Sequence, residues 1–159
     1  MTDKIAILMG SDSDLPTMRN SIDILEDFGV ETTVKILSAH RTPKETAEFA
    51  ENAEANGYKG IICAAGLAAH LAGVVAAHTT LPVLGCPMQG GVADGLDALL
   101  STVQMPSGVP VATFGVGKHG ANNAALFAIS ILALNNEDLK RKLIDLREEQ
   151  AKKILAKNK

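Results

Sequence analysis

Aromatic residues are scarce in this chain: they make up 3% of its 159 residues, and tryptophan is absent. Proteins that bind single-stranded nucleic acids stack the bases on aromatic side chains, so the composition disfavours that class. Positive charge is also short, because 15 Lys and Arg residues face 18 Asp and Glu residues, which leaves a net charge of -3 at pH 7. A basic surface is therefore not expected, and we predict no nucleic-acid partner.

Cysteine is limited to Cys63 and Cys86, and each lies within an apolar stretch. Buried free thiols are the usual state of such cysteines; a disulfide or a metal pair would need a supporting spacing that the chain lacks. The four histidines also lack the paired spacing of metal ligands. Neither a G-x-G-x-x-G fingerprint nor a Walker loop is present. We therefore expect no metal and no cofactor.

A membrane-spanning run is missing as well. The longest apolar stretch, residues 124–134, is shorter than the roughly 20 residues that a helix needs to cross a bilayer. The chain enters its first apolar stretch at Lys4 without a basic and then apolar leader. We therefore expect a cytoplasmic protein without membrane contact.

What the chain does contain is an alternation of strand-like apolar runs and helical patterns. Runs at residues 4–9, 30–37, 60–65, 82–86 and 109–116 predict five strands. Such alternation is typical of an α/β fold, here a three-layer αβα sandwich with a parallel sheet. We expect a single domain over residues 1–159, with its core at about 4–135 and a charged C-terminal helix at about 137–157.

Helical patterns fill the segments between these runs. We predict one helix from Leu15 to a closing Gly29 and one at 43–56 before Gly57. A third, rich in small residues, follows the segment 66–73 and ends near His78, and two more lie at 96–102 and 121–134. The pattern at 121–134 is apolar on nearly every face, which favours burial, partly against other subunits. For the C-terminal helix, exposure to solvent and packing on a neighbouring subunit are equally open interpretations.

The most informative segment is residues 38–43, Ser-Ala-His-Arg-Thr-Pro. It follows a predicted strand and opens a predicted helix, which is where open α/β folds bind ligands. His40 supplies an imidazole that can titrate near neutral pH, and Arg41 supplies a guanidinium suited to phosphate. Thr42 is predicted as the helix N-cap, with Glu45 completing a capping box. The alternative interpretation is an exposed turn without function.

Two further loops follow predicted strands. In residues 10–14, Gly-Ser-Asp-Ser-Asp, Ser11 and Ser13 suit a phosphate held at a helix N-terminus. Asp12 and Asp14 would repel a phosphate, so Asp14 is better suited to ribose hydroxyls. Ser and Asp are also ordinary N-cap residues, so this loop alone is a weak indication of a site.

Residues 66–73 are mostly small and leave backbone amides accessible to a carboxylate or another anion. His70 in this loop is more typical of a structural histidine than of a catalytic one, and His78 and His119 are interpreted as structural and turn residues. Taken together, the three loops indicate a phosphorylated sugar or a mononucleotide as substrate. The residues alone leave the reaction unknown.

Six motifs occur in an order that resembles a known family. They are residues 10–14 (GSDSD), 38–43 (SAHRTP), 68–71 (AAHL), 81–85 (LPVLG), 103–111 (VQMPSGVPV) and 123–126 (NAAL). Over nearly the whole chain they closely resemble the N5-carboxyaminoimidazole ribonucleotide mutases of de novo purine biosynthesis. The resemblance implies a flavodoxin-like sandwich, a homo-octamer, and cofactor-free transfer of a carboxylate from the exocyclic nitrogen to ring carbon-4.

The same resemblance implies roles for individual residues. His40 would be the general acid/base in a decarboxylation followed by a recarboxylation. The ribonucleotide substrate would be bound by the ribose phosphate loops and by the loop that holds the migrating carboxylate. The expected substrate-binding residues are Ser11, Ser13, Asp14, Ser38, Arg41, Gly66, Ala68 and His70.

The chain departs from the family's usual Ala-Gly-Gly-Ala-Ala-His-Leu-Pro-Gly at residues 65–73. Leu67 replaces the second glycine and Ala72 replaces the proline, and we expect Leu67 to narrow or reshape the carboxylate pocket. A related branch carboxylates aminoimidazole ribonucleotide directly with carbon dioxide and tends to carry Lys in place of Arg41, without the proline at position 43. Arg41 and Pro43 thus favour the mutase. The alternatives are that direct carboxylase and a non-catalytic nucleotide-binding module.

Overall fold

The computed structural model describes residues 4–158, and these form one parallel sheet of five strands. The strands are β1 (Lys4–Met9), β2 (Glu31–Ile36), β3 (Tyr58–Ala65), β4 (Val83–Pro87) and β5 (Ala112–Thr113). Their spatial order is β2-β1-β3-β4-β5. This is the flavodoxin-like order, in which ligands bind beyond the carboxyl ends of the strands.

Six α-helices and two 3₁₀ turns connect and follow the strands of residues 4–158. The helices are α1 (Leu15–Phe28), α2 (Pro43–Asn52), α3 (Leu71–Ala77), α4 (Leu96–Val103), α5 (Lys118–Leu132) and α6 (Glu137–Leu155). The 3₁₀ turns are Asp12–Asp14 and Val92–Asp94. None of the helices in this part of the chain is long and apolar enough to cross a membrane.

The two faces of the sheet carry separate hydrophobic cores. Alternate side chains of a strand point to opposite faces, so Ile5, Ile7 and Met9 of β1 pack with α1 and α5. Ala6 and Leu8 of the same strand pack with α2 and α3 on the other face. A strand buried on both faces has to be apolar throughout, which explains the uninterrupted run that predicted β1. The three-layer α/β sandwich is therefore confirmed.

The end of α2 differs from its prediction. The helix ends at Asn52 instead of about residue 56, because the carbonyl oxygen of Ala53 accepts a hydrogen bond from the Tyr58 amide at 3.1 Å and the chain turns back. Gly57 provides the positive φ of 84° that this turn requires. As a result β3 begins at Tyr58, two residues before its predicted start.

β5 and the start of α5 also differ from the predictions. β5 covers two residues instead of the run 109–116, because it is an edge strand that pairs only with β4 and Pro110 has no amide hydrogen to donate. Gly117, at φ 73°, turns the chain into α5 three residues earlier than predicted. His119 therefore lies exposed in the first helical turn of α5 rather than in a loop.

The cysteine prediction is confirmed. Cys63 in β3 and Cys86 in β4 are buried, and both are free thiols. Burial raises the pKa of the Cys86 thiol to about 12 and raises the pKa of Cys63 further. Neither sulfur is therefore ionised near neutral pH, which fits a packing role and no reactive one.

Candidate functional site

The carboxyl ends of β1 to β4 enclose a cavity of about 600 Å³. Four loops form its wall, one after each of these strands. All nine residues that the sequence analysis assigned to catalysis or substrate binding line it. They are Ser11, Ser13, Asp14, Ser38, His40, Arg41, Gly66, Ala68 and His70. The parallel topology explains this convergence, because the carboxyl ends of parallel strands lie at one edge of the sheet.

The loop between β2 and α2 is held together by hydrogen bonds of the Thr42 side chain, which does not form a capping box. The Thr42 hydroxyl accepts a hydrogen bond from the Ser38 amide at 2.8 Å and donates one to the Ser38 carbonyl oxygen at 3.1 Å. It makes no capping bond to α2, so the predicted capping box with Glu45 is wrong. Since Thr42 is bonded back to Ser38, the three residues between them are held in a tight turn.

One of those three residues is Arg41, whose side chain reaches across to the end of β1. Its Nη2 donates a hydrogen bond to the carbonyl oxygen of Gly10 at 2.9 Å, and its backbone amide donates to the Ser38 hydroxyl at 3.2 Å. A guanidinium has five N–H donors, so the group is oriented by this bond and keeps donors for an anion in the cavity. The bond also joins the first two loops of the wall.

Ser11 and Ser13 form a hydroxyl pair beside Arg41. The Ser11 hydroxyl oxygen accepts hydrogen bonds from the Ser13 amide at 3.2 Å and the Ser13 hydroxyl at 2.9 Å. The pair precedes α1, whose N-terminal amides and dipole favour negative charge. Ser11 also caps the 3₁₀ turn Asp12–Asp14, because its hydroxyl oxygen accepts the hydrogen bond from the Ser13 amide.

Asp14 is half-buried at the start of α1 and lines the same wall. Burial raises the pKa of its carboxyl group, and the nearby Asp12 carboxylate raises it further. A partly desolvated carboxylate lacks some of the water that would hydrate it, so it gains from accepting hydrogen bonds from ligand hydroxyls. Asp12 is exposed and lies outside the cavity lining.

His40 and His70 meet across the cavity. Nε2 of His40 lies 2.7 Å from Nδ1 of His70, and the two rings stand edge to face with their centroids 4.7 Å apart. One of these nitrogens must donate and the other accept, so the pair shares a hydrogen and fixes the tautomer of both rings. His70 is thus not a buried structural histidine. His78, by contrast, bonds Glu51 at 2.9 Å, joining α3 to α2 away from the cavity.

The fourth loop, between β4 and α4, was given no functional role in the sequence analysis. It contributes four residues to the cavity lining, next to the loop of Gly66: Met88, Gln89, Gly90 and Gly91. The backbone is held by carboxylates, since the Gly90 amide donates to Asp94 Oδ1 at 3.1 Å. The sequence feature that could have indicated this loop is the pair Gly90-Gly91, which lies in the segment after β4, at the edge of the sheet where the other loops meet.

Comparisons with known proteins agree with this geometry. A family model described as AIR carboxylase matches residues 4–153. Proteins named N5-carboxyaminoimidazole ribonucleotide mutase are similar to this chain. The Bacillus subtilis protein is 52% identical, with 95% of this chain and 93% of the relative covered. The Pyrococcus abyssi protein is 51% identical over 92% and 83%, and the Escherichia coli K12 protein is 49% identical over 96% and 90%.

Solved structures show the same relationship. Treponema denticola PurE superposes with a TM-score of 0.88 at 30% identity, with 97% of this chain and 95% of that chain covered. A variant of PurE2 from the same organism reaches a TM-score of 0.90 at 29% identity, with 99% and 97% covered. The family match spans nearly the whole chain, and the relatives share about half of its residues. The chain therefore belongs to the AIR carboxylase family.

Proposed function

We propose that the chain is an N5-carboxyaminoimidazole ribonucleotide mutase, an isomerase of de novo purine biosynthesis. It converts that ribonucleotide to 4-carboxy-5-aminoimidazole ribonucleotide. The observation that carries the proposal is the convergence of His40, Arg41 and the hydroxyl pair Ser11/Ser13 on one cavity. Relatives about half identical to the chain carry the name of this activity, whereas the family model is described as a carboxylase.

The substrate's phosphate is assigned to the wall formed by Arg41, Ser11 and Ser13. A guanidinium and two hydroxyls at a helix N-terminus supply the donors and the positive potential that a phosphate requires. Asp14 accepts hydrogen bonds from the ribose hydroxyls, which are the neutral donors next to the phosphate. With phosphate and ribose bound in this way, the imidazole ring of the substrate would lie towards His40, and its carboxylate would lie near the loop of Gly66 and Ala68.

The reaction needs one proton, which His40 gives and takes back. In the first step the bond between the carboxylate carbon and the exocyclic nitrogen breaks, its electron pair returns to the nitrogen, and His40 donates a proton there. The products of this step are aminoimidazole ribonucleotide and carbon dioxide. In the second step ring carbon-4 attacks the carbon dioxide, a C–C bond forms, and the carbon-4 proton returns to His40. His70 holds the His40 ring in one orientation through the 2.7 Å bond.

We also propose that the chain assembles as a homo-octamer. Leu96, Leu100 and Val103 of α4 follow each other at i, i+4 and i+7, and each is about half exposed. Phe127 of α5 is exposed to a similar degree. Contiguous apolar surface of this kind is typical of subunit contacts. Light scattering should give eight times the 16.6 kDa chain mass, and a stable monomer would contradict the assembly.

The proposed location is the cytoplasm. The substrate carries a phosphate and a carboxylate, and such an anion does not cross a bilayer unaided, so the enzyme has to be where the nucleotide is made. Fractionation of cells that produce the chain should recover the activity with the cytoplasmic fraction. Recovery with the membrane fraction would contradict this placement.

A substrate assay distinguishes the mutase from the direct carboxylase, its nearest alternative. Purified protein is given either the N-carboxylated nucleotide, or aminoimidazole ribonucleotide with low bicarbonate, and formation of the carbon-4 carboxylate is followed. A mutase converts the first substrate efficiently. Efficient conversion of only the second would establish the carboxylase instead, and conversion of neither would favour a nucleotide-binding module without activity.

The role of His40 is tested by His40→Asn, with His119→Asn as the matched control because His119 is exposed and lies outside the cavity lining. General acid/base catalysis typically contributes about 10²–10⁴-fold in rate, so turnover should fall by at least about a hundredfold. Substrate binding and the melting temperature should stay near those of the unmodified protein. Turnover close to normal in His40→Asn would remove His40 from the mechanism.

A further inference from the structure

The loop between β4 and α4 has an unusual backbone. Five of the six residues from 90 to 95 have a positive φ: Gly90, Gly91, Ala93, Asp94 and Gly95. Glycine adopts this conformation readily and aspartate tolerates it, but alanine adopts it only at a cost, and Ala93 has a φ of 48°. Such a conformation persists only where other interactions enforce it, and it is common at functional sites.

Two aspartates enforce the conformation of this loop. Oδ1 of Asp94 accepts a hydrogen bond from the Gly90 amide at 3.1 Å, and its Oδ2 accepts one from Nε2 of Gln89 at 3.4 Å. Oδ2 of Asp97 accepts a hydrogen bond from the Val92 amide at 3.1 Å. Neither aspartate belongs to the cavity lining, whereas Gln89 and Gly90 do. The two carboxylates therefore hold a wall of the cavity without lining it.

The amide of Gly91 lies between the two amides that these aspartates bind. Unlike the amides of Gly90 and Val92, it makes no hydrogen bond within residues 4–158. Gly91 also lines the cavity. A backbone N–H is a strong donor, and one without a protein partner has to be satisfied by water or by a ligand. Gly91 therefore offers a free donor at the cavity wall.

The position of Gly91 relates this donor to one end of the substrate. A Cβ atom built on Gly91 would lie 2.8 Å from Cδ2 of Leu67, so the loop after β4 contacts the loop after β3 at this point. Leu67 is flanked by Gly66 and Ala68, the two residues assigned to the migrating carboxylate. Arg41, which is assigned to the phosphate, belongs to a different loop. The donor of Gly91 therefore lies beside the part of the wall assigned to the carboxylate.

We infer that the Gly91 amide donates a hydrogen bond to the carboxylate of the substrate, and that Asp94 and Asp97 are positioning residues that hold this donor in place. The inference rests on the proposed function, which supplies a substrate that carries a carboxylate. An ionised carboxylate only accepts hydrogen bonds, so an unpaired backbone donor suits it. Because the aspartates bind the amides on either side, they fix the peptide units next to the donor.

An NMR experiment tests the donor. Glycine is supplied with ¹³C at its carbonyl carbon and ¹⁵N at its amide. Gly90 and Gly91 are the only adjacent pair of glycines in the chain, so an HNCO spectrum shows the amide of Gly91 alone. Added 4-carboxy-5-aminoimidazole ribonucleotide should move the amide proton signal downfield, and aminoimidazole ribonucleotide, which lacks the carboxylate, should move it much less. An unmoved signal, or equal movement with both nucleotides, would overturn the inference.

The positioning role is tested by two variants of Asp94. Asp94→Gly removes the carboxylate and suits the φ of 53°, whereas Asp94→Asn keeps an oxygen that can accept from the Gly90 amide. A hydrogen bond to a charged group is worth about tenfold in affinity. The KM of Asp94→Gly should therefore rise by about tenfold with little change in kcat. The KM of Asp94→Asn should stay near that of the unmodified protein.

A control variant separates this effect from the loss of a negative charge. Asp145 is exposed on α6 and makes no hydrogen bond or ion pair within residues 4–158. Asp145→Ala should leave KM unchanged. The melting temperature of Asp94→Gly should stay near that of the unmodified protein, because Asp94 is exposed and the loop is anchored by the buried residues Met88 and Gly95.

The possible failures are distinguishable. If the unmodified protein forms no carbon-4 product, the proposed function is wrong. If it forms product but the KM of Asp94→Gly equals its own, the positioning role is wrong and the proposed function stands. A KM of Asp94→Asn as high as that of Asp94→Gly would also overturn this role, since asparagine keeps the acceptor. The NMR experiment uses the unmodified protein and does not depend on the folding of any variant.

Discussion

Replacing Thr42 by valine should loosen the loop that carries His40 and Arg41. Valine has nearly the same shape but no hydroxyl, so the Ser38 amide loses its acceptor at 2.8 Å and the Ser38 carbonyl loses a donor at 3.1 Å. The Ser38 carbonyl oxygen still accepts a hydrogen bond from the Thr42 backbone amide at 2.9 Å. Most of the loss in stability therefore comes from the Ser38 amide, which is left without an acceptor. One net hydrogen bond is worth about 1 kcal/mol, and an unsatisfied buried group costs about 1–3 kcal/mol.

Ser38 is only partly buried, so water can replace some of the lost bonding, and we expect a loss of about 1–2 kcal/mol in the free energy of unfolding. For a domain of this size that corresponds to a melting temperature lower by about 2–8 °C. Because the loop positions His40 and Arg41, kcat/KM should fall by about ten- to a hundredfold. Differential scanning calorimetry and the mutase assay measure the two effects.

Thr33→Val is the matched control, since Thr33 is partly buried in β2 and its hydroxyl has no hydrogen-bond partner within residues 4–158. It should leave both the melting temperature and kcat/KM nearly unchanged. If Thr42→Val behaves like this control, the bonds between Thr42 and Ser38 do not hold the loop, and the reasoning is refuted.

Three further predictions follow from the same structure. Burial raises the pKa of Asp14 in the folded protein. The Asp14 carboxyl group therefore stabilises the fold fully only below its ordinary pKa of 3.8, and this stabilisation is lost as the pH rises through the raised pKa. Asp14→Asn should therefore melt higher than the unmodified protein at pH 7 but not near pH 3; equal melting at both would contradict the shift. Arg41→Ala should raise KM more than it lowers kcat, and an unchanged KM would remove Arg41 from the phosphate site. A thiol reagent at pH 8 should label Cys63 and Cys86 only after unfolding, because both are buried; rapid labelling of the folded protein would disagree.

Local signals predicted most of the elements. The apolar run at β1 was predicted with its observed bounds, and the helix of Leu15 ends at Gly29, whose φ of 81° gives the expected cap. These features depend on neighbouring residues alone, through side-chain periodicity and the conformational freedom of glycine. β5 was predicted too long because strand length at a sheet edge depends on pairing with β4, which the local pattern of apolar residues does not contain.

The sequence by itself determined the alternation of strands and helices, and hence that the loops of His40, Ser11 and Gly66 share one edge of a parallel sheet. That follows from topology, because every parallel strand ends at the same edge. Only the tertiary structure decided the bond between His40 and His70, which are 30 residues apart, and the contact of Leu67 with Gly91. Such contacts depend on ångström-scale positions of loops set by sheet order and by helix packing on both faces. Local propensities do not determine those positions.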